Sequence, residues 1–195
     1  MILVLAKRQR VLLTTSRKPT QNIRTICKDI SYIFPNIVRI NRGKLSLEGI
    51  AEKALELDVE KVMIIDRWER GMGKIGFFEI KQNGLDGVPP VVYLRNAKFR
   101  RDFGEQMPKE RIKSVAIATS PKENFEAKKI ENVFSGFFGV PVLSVAEAVN
   151  DKYDAVMQIL MDSLNRIAIT FKLLPDLVEI GPQMAISHLV WELTK

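Results

Sequence analysis

The 195-residue sequence predicts an α/β fold made of two duplicated α/β halves related by a pseudo-twofold axis. Three observations predict it. Short β-branched runs alternate with segments of helical apolar spacing, the pattern of a sheet with helices packed on it. Sliding the chain along itself by 104 positions lays "VLLTTSRKPTQNIRTICKDISYIFPNIVRI" on "VAIATSPKENFEAKKIENVFSGFFGVPVLS", a repeat with a period of half the protein. Between the copies, residues 104–112, "GEQMPKERI", are polar and contain a proline, as a connection should. The expected organisation is one domain over 1–195 with internal halves at about 8–103 and 113–195.

Each copy opens with a strand ending in Thr-Ser, Thr15-Ser16 and Thr119-Ser120. An amphipathic helix follows, marked by Ile23, Ile26, Ile30, Ile33 and Phe34 in the first copy and Ile130, Val133, Phe134, Phe137 and Phe138 in the second. Pro35 and Gly139 stop these helices, because proline cannot continue one and glycine accepts the left-handed cap geometry. Second strands are expected near Ile37 to Ile40 and Val140 to Ser144. Leu47, Ile50, Ala51, Ala54 and Leu55 place a second helix in "SLEGIAEKALELD", and Val156, Ile159, Leu160 and Leu164 place its counterpart in "DAVMQILMDSL". "KVMIID" and "RIAITF" read as third strands. Later strands, "KIGFFEI" with "PPVVYLR" and "LVEI" with "MAISHLVWEL", are joined by turns too short for a crossover helix and are expected to run antiparallel.

The charge is distributed unevenly. Residues 1–104 carry 20 Lys and Arg against 11 Asp and Glu, whereas 105–195 carry 10 against 12, giving the chain its net +7. A field of one sign on one half suits a polyanion. The first-half cations recur after strands: Arg17 and Lys18 in "SRKPTQ", Arg39, Arg42 and Lys44 around Asn41 in "RINRGK", and Arg67, Arg70 and Lys74 in "RWERGMGK". Arg95, Lys98, Arg100 and Arg101 follow "VVYL", with Phe99 among them. Since ligands of open α/β sheets gather beyond the carboxyl ends of the strands, these segments aim cations at one edge. Arginine forks match phosphates and stack on bases. The second-half counterpart of "SRKP" is "SPKEN", in which Glu123 dilutes the charge.

Other chemistries find little support. Cys27 is the single cysteine and His188 the single histidine, so an internal disulfide is impossible and a Cys/His zinc site is not expected. Cys27 shares a helical stripe with Ile23, Ile26 and Ile30 and reads as core; His188 reads as structural or exposed. "GMGKIG" has the letters of a dinucleotide fingerprint but precedes a strand instead of a helix, so it reads as a basic hairpin tip. Asp66 and Glu69 are interleaved with arginine and read as solvated ion pairs. No catalytic residue, cofactor or metal is expected. No stretch approaches the roughly 18 to 20 apolar residues that cross a bilayer, and "MILVLAKRQR" has its charges in the reverse order of a secretory signal. A cytoplasmic monomer without membrane contact is the expectation.

"LLTTSRKPT", "IFPNIVRINRGK" and "VEIGPQMAISHLVWEL" resemble the Brix domain of ribosome-biogenesis factors, in order and over nearly the whole chain. The resemblance is to the branch acting in small-subunit processing and its single-domain archaeal relatives. It implies halves similar to the anticodon-binding domain of class II aminoacyl-tRNA synthetases, no enzymatic activity, and binding of pre-rRNA or guide RNA alongside ribosome assembly proteins. By position, Ser16, Arg17 and Pro19 match the first motif, Arg39, Asn41, Arg42 and Gly43 the second, and Gly181 and Pro182 the last. The chain departs from the family after Pro182, where Gln183 and Met184 replace Arg-Phe. The alternative is a protein scaffold whose basic face meets an acidic assembly partner.

Overall fold

The computed structural model of the chain describes residues 10–68, 73–104, 111–120, 125–161 and 166–193. The chain runs β1 (Val11–Thr15), α1 (Gln21–Ile33), β2 (Ile37–Arg39), α2 (Leu47–Glu56), β3 (Lys61–Arg67), β4 (Gly73–Lys81) and β5 (Gly84–Lys98). After a 3-10 turn at Arg100–Phe103 come β6 (Val115–Ala118), α3 (Phe125–Phe138), β7 (Val142–Leu143), α4 (Val145–Asn150), β8 (Ala155–Met161), β9 (Ile167–Leu173), β10 (Val178–Glu179) and β11 (Gln183–Val190). All strands join one mixed sheet in the order β2-β1-β3-β4-β5-β11-β9-β8-β6-β7, with β10 beside β9. β1 is parallel to β2 and β3, and β6 is parallel to β7 and β8. β4 and β5 then continue antiparallel from β3, as β9 and β11 do from β8.

The helices begin where side chains can replace missing backbone acceptors. Thr20 Oγ1 accepts from Ile23 N at 3.3 Å, and Ser46 Oγ from Gly49 N at 3.0 Å. At α4 the exchange is mutual: Ser144 Oγ accepts from Glu147 N at 3.2 Å, and the Glu147 carboxylate accepts from Ser144 N at 2.7 Å. α1 ends at Phe34, whose extended backbone fits the residue before Pro35. Gly139 takes a φ of +65° after α3, as the sequence predicts.

Two expectations are corrected. "DAVMQILMDSL" is not a helix: its described part forms β8, and Leu164 lies outside the described residues. β8 is covered on both faces, Met157 and Ile159 packing under α3 and Val156 under α4. A strand buried on both sides reads as a continuous apolar run, which periodicity cannot separate from a helix. The second helix of this half is the short α4, and "RIAITF" forms β9, antiparallel to β8. Likewise "LVEI" pairs through β10 with β9, while β11 lies between β9 and β5.

Helices α1 and α3 lie on one face of the sheet, α2 and α4 on the other. The first face holds the main core, from Val11, Leu13, Met63 and Ile65 across Phe77 and Val92 to Ile117, Met157 and Phe171. α2 covers Leu12, Val62 and Ile64 with Ile50 and Ala54, and α4 covers Ala116, Ala118 and Val156 with Ala148. Phe34 and Phe138, the last buried rings of the α1 and α3 segments, stack at 4.5 Å over the middle of the sheet. Phe77 meets Phe134 and Phe137 at 5.4 and 4.8 Å, and the Asn36 amide donates to the Phe138 carbonyl at 2.7 Å. The ring cluster therefore belongs to both ends of the chain.

Three buried polar groups complete this core. The Cys27 thiol lies over the Thr14 carbonyl at 3.9 Å, and burial pushes it up to about 12, which keeps it protonated and inert. Asp29 accepts from Arg100 N at 3.0 Å and Glu131 from Ser120 N at 3.0 Å. Burial, offset in part by these bonds, holds both carboxyls above their usual range.

Phe34→Ala and Phe138→Ala should each cost about 3–5 kcal/mol by chemical denaturation. The double variant should lose about 0.5–1.5 kcal/mol less than the sum, since the stack can be removed once; strict additivity would contradict a shared core. A raised native pKa means the folded chain keeps its proton longer than the unfolded one, so stability falls as pH rises through that value. Glu131→Gln, which keeps the acceptor for Ser120 N, should therefore gain stability relative to wild type as pH rises from the acid side through the raised Glu131 value. A relative loss over the same range would contradict the assignment.

Candidate nucleic-acid interface

The parallel pairing of β1, β2 and β3 brings their carboxyl ends to one edge of the sheet. Arg17 and Lys18 follow β1, Arg39 closes β2, Asn41, Arg42 and Lys44 lie on the loop to α2, and Arg67 closes β3. Lys74 pairs with Asp66 across the β3–β4 hairpin and stands at the same edge. Arg17, Lys18, Arg39, Asn41, Lys44 and Arg67 are exposed. Among the described residues, none of these cations is held in a salt bridge. Arg70 lies outside the described residues.

Arg42 differs from its neighbours. It is half-buried, with Nε donating to the Leu45 carbonyl at 3.1 Å and a terminal nitrogen donating to the Thr15 carbonyl at 3.4 Å. Arg17 Nε reaches the same Leu45 carbonyl at 3.4 Å. Gly43, at φ +57°, lets the loop double back, and Leu45 N closes the turn on the Arg42 carbonyl at 3.1 Å. The loop is also tied to β1 by Thr14 Oγ1 donating to the Ile40 carbonyl at 3.1 Å. Burial, then the adjacent Arg17 cation, pulls Arg42 below the usual arginine range, while Asp66 works in the opposite direction. Arg42 thus fastens the loop, and Arg17 is held beside it at a short distance from a like charge. Glu48 at the start of α2 is held below the usual carboxylate range by its own backbone N–H and the Ser46 hydroxyl, with Arg17 adding a smaller pull in the same direction.

The fourth predicted segment lies farther along. β5 runs in the direction of β3, and beyond Tyr93, the partner of Lys74, it leaves β4 and pairs with β11. Arg95 and Lys98 are exposed on this extension. Lys98 lies 4.3 Å over the Phe103 ring, Arg101 5.1 Å from the Phe99 ring and 3.8 Å from Asp102, and the half-buried Arg100 packs 3.3 Å over Tyr32 of α1. Gly181, at φ +56°, sits against this turn; a Cβ there would come within 2.5 Å of the Phe103 ring. The Gly181-Pro182 motif accordingly meets the Arg100–Phe103 turn, Gln183 pairs with Lys98, and Met184 is buried in the core.

The second half presents a different edge. β5 and β11 are antiparallel, so β6, β7 and β8 point opposite to β1, β2 and β3, and their carboxyl ends lie at the opposite side of the sheet. Ser120 is there, while Lys122 and Glu123 lie outside the described residues. The connections also differ in length. β2 reaches α2 through residues 40–46, whereas β7 reaches α4 through Ser144 alone. Since Ser46 and Ser144 are both helix caps, residues 40–45, which include Asn41, Arg42, Gly43 and Lys44, have no counterpart in the second half.

A row of aromatic side chains adjoins the basic edge and was not foreseen from the sequence. Trp68 continues the alternation of Val62, Ile64 and Asp66, and Lys74 and Tyr93 point to the same face, opposite Ile75 and Val92. Trp68 meets Tyr93 edge-on at 4.7 Å, and Tyr93 stacks on His188 at 4.3 Å with planes 10° apart. The Lys74 ammonium lies 5.9 Å from the Trp68 ring. Tyr93 and His188 are register partners on β5 and β11, a pairing that single-strand alternation cannot reveal.

No family model matches the chain. It is 27% identical over 165 residues to the "Probable Brix domain-containing ribosomal biogenesis protein" of Pyrococcus abyssi, covering 76% of this chain and 70% of that protein. A shorter match, 32% over 56 residues, covers 29% of this chain and 19% of the U3 small nucleolar ribonucleoprotein protein imp4 of Schizosaccharomyces pombe. The crystal structure of a probable ribosomal biogenesis protein from Aeropyrum pernix superposes with a TM-score of 0.76 at 21% identity, covering 93% of this chain and 99% of that one, and shows the same fold. Relatives bearing the P. abyssi protein's name recur in other archaea. The chain is a homologue of the archaeal Brix domain-containing ribosomal biogenesis proteins.

Proposed function

We propose that the chain is a non-catalytic RNA-binding factor in ribosome biogenesis. It binds pre-rRNA or an associated guide RNA through the carboxyl edge of its first half and assists rRNA processing and subunit assembly beside other assembly proteins. The observation that carries this reading is the convergence of Arg17, Lys18, Arg39, Lys44, Arg67 and Lys74 on one sheet edge, while the opposite edge lacks the loop that supplies Asn41 to Lys44. The names of the relatives give the process: ribosomal biogenesis in archaea and a U3 ribonucleoprotein in yeast.

The two halves, about 8–103 and 113–195, are copies of one unit related by a pseudo-twofold axis between β5 and β11, each similar to the anticodon-binding domain of class II aminoacyl-tRNA synthetases. The shared element order and the Phe34–Phe138 contact, which joins positions 104 residues apart, support that descent. One copy kept or gained a phosphate-binding edge and the other diverged toward neutrality. Within that edge Arg42 and Gly43 set the loop, and the exposed cations meet phosphate oxygens. Such contacts position an RNA without reading its sequence.

Affinity for a single strand should fall with salt at a logarithmic slope of about −0.7 per phosphate contact. Lys18→Ala, Lys44→Ala and Arg67→Ala combined should therefore reduce the slope by about 2 in fluorescence anisotropy against pre-rRNA fragments, whereas Lys128→Ala on α3 should leave it unchanged. An unchanged slope in the triple variant would contradict the interface. Binding of an acidic assembly protein, with no RNA affinity of the purified chain at low salt, would favour a protein scaffold. Arg42→Lys should weaken RNA binding and lower stability together, because an ammonium cannot span the Leu45 and Thr15 carbonyls; a loss of binding with unchanged stability would assign Arg42 to phosphate contact instead.

A further inference from the structure

We infer that Trp68, Tyr93 and His188 form a stacking platform for unpaired bases of the bound RNA, so that the ligand is single-stranded where it crosses the sheet. The inference rests on the RNA-binding reading and adds a second part to the site. Phosphates are held at the edge, and bases are held on the sheet face beside it.

Helices α2 and α4 leave the centre of their face open. α2 packs on β1 and β3 and reaches β4 and β5 at Phe78, Ile80 and Leu85, toward the β4–β5 turn, and α4 packs on β6 and β8; Lys74, Tyr93 and His188, at the other end of β4 and along β5 and β11, belong to neither cluster. Trp68 is 38% exposed, His188 is exposed and Tyr93 is partly so. Large rings in that situation require a reason, since stacking them on each other leaves much of their area in water. The parallel Tyr93 and His188 rings, 4.3 Å apart, already have the arrangement of neighbouring bases in a strand, and Trp68 closes one end edge-on. A base can add to this pile because every base offers a π-face, whatever its identity.

The charge around the platform selects a nucleic acid over an apolar peptide. Lys74 sits over Trp68, and the exposed Arg95 follows two residues beyond Tyr93 on β5. The edge that holds Arg17 and Arg42 adjoins through Asp66, whose carboxylate is occupied by Arg67 N at 2.6 Å. A strand whose phosphates follow Arg17, Lys44 and Arg67 can therefore turn its bases inward onto the rings. Double-stranded RNA, with its bases already stacked and paired, would gain only the edge.

The test compares three probes on the intact protein: an oligouridylate of about twelve nucleotides, the same length of abasic ribose-phosphate strand, and a duplex. Wild type should bind the oligouridylate at least about tenfold tighter than the abasic strand, with similar salt slopes, and the duplex no better than the abasic strand. Tyr93→Leu with His188→Leu should erase the tenfold difference, and Tyr93→Phe with His188→Phe should restore it. Equal wild-type affinity for oligouridylate and abasic strands would overturn the platform and leave the phosphate edge intact. Failure to bind any of the three would overturn both. Should the leucine variant not fold, the abasic comparison on wild type decides alone.

Discussion

The antiparallel pairing of β5 with β11 determines what the rest of the molecule can be. Each half has its own parallel strands and two helices, and the junction fuses them into one sheet while reversing direction. Two carboxyl edges result, on opposite sides, so one binding surface cannot be assembled from both halves by simple repetition. The helices α1 and α3 remain on a common face, where Phe34 and Phe138 stack and Phe77 reaches across. Hydrophobic burial over that face is continuous through both halves, and it holds the two edges in fixed relation.

With two edges available, charge can specialise. The first edge has a loop of residues 40–46 pulled tight by Arg42 and turned by Gly43, with Arg17, Lys18, Arg39, Lys44 and Arg67 facing water around it. The second has Ser144 where that loop would stand. Like charges gathered on a ledge repel one another: burial first, and then the adjacent Arg17 cation, pull Arg42 below the usual arginine range. In the proposed RNA-binding role a polyanion would relieve that repulsion, so an arrangement unfavourable in the free protein would favour the bound state.

Much of this was legible in the sequence, and the failures have physical causes. The helices α1, α2 and α3 and the carboxyl-end placement of Arg17, Lys18, Arg39 and Arg67 follow from periodicity, from Pro35 and Gly139, and from the rule that parallel strands end together. β8 carries the apolar spacing of a helix because burial on both faces erases alternation, and α4 is too short for an apolar stripe although the Ser144-x-x-Glu147 capping box announces it. The double duty of Arg42 was invisible because its partners are backbone carbonyls, which carry no residue identity. The aromatic row needed the register of β5 against β11, a long-range pairing shifted by bulges near Ile186 that no local pattern encodes.

RNA is proposed to meet the carboxyl edge of β1, β2 and β3 and not that of β6, β7 and β8. Ultraviolet crosslinking of the chain to RNA in cell extract, followed by mass spectrometry of the nucleotide-bearing peptides, tests it most directly. Crosslinks should fall on peptides containing residues 15–24, 39–46 and 66–75, and the attached RNA should be pre-ribosomal. Crosslinks concentrated around Ser120 and the start of α3, at the opposite edge, would contradict the account.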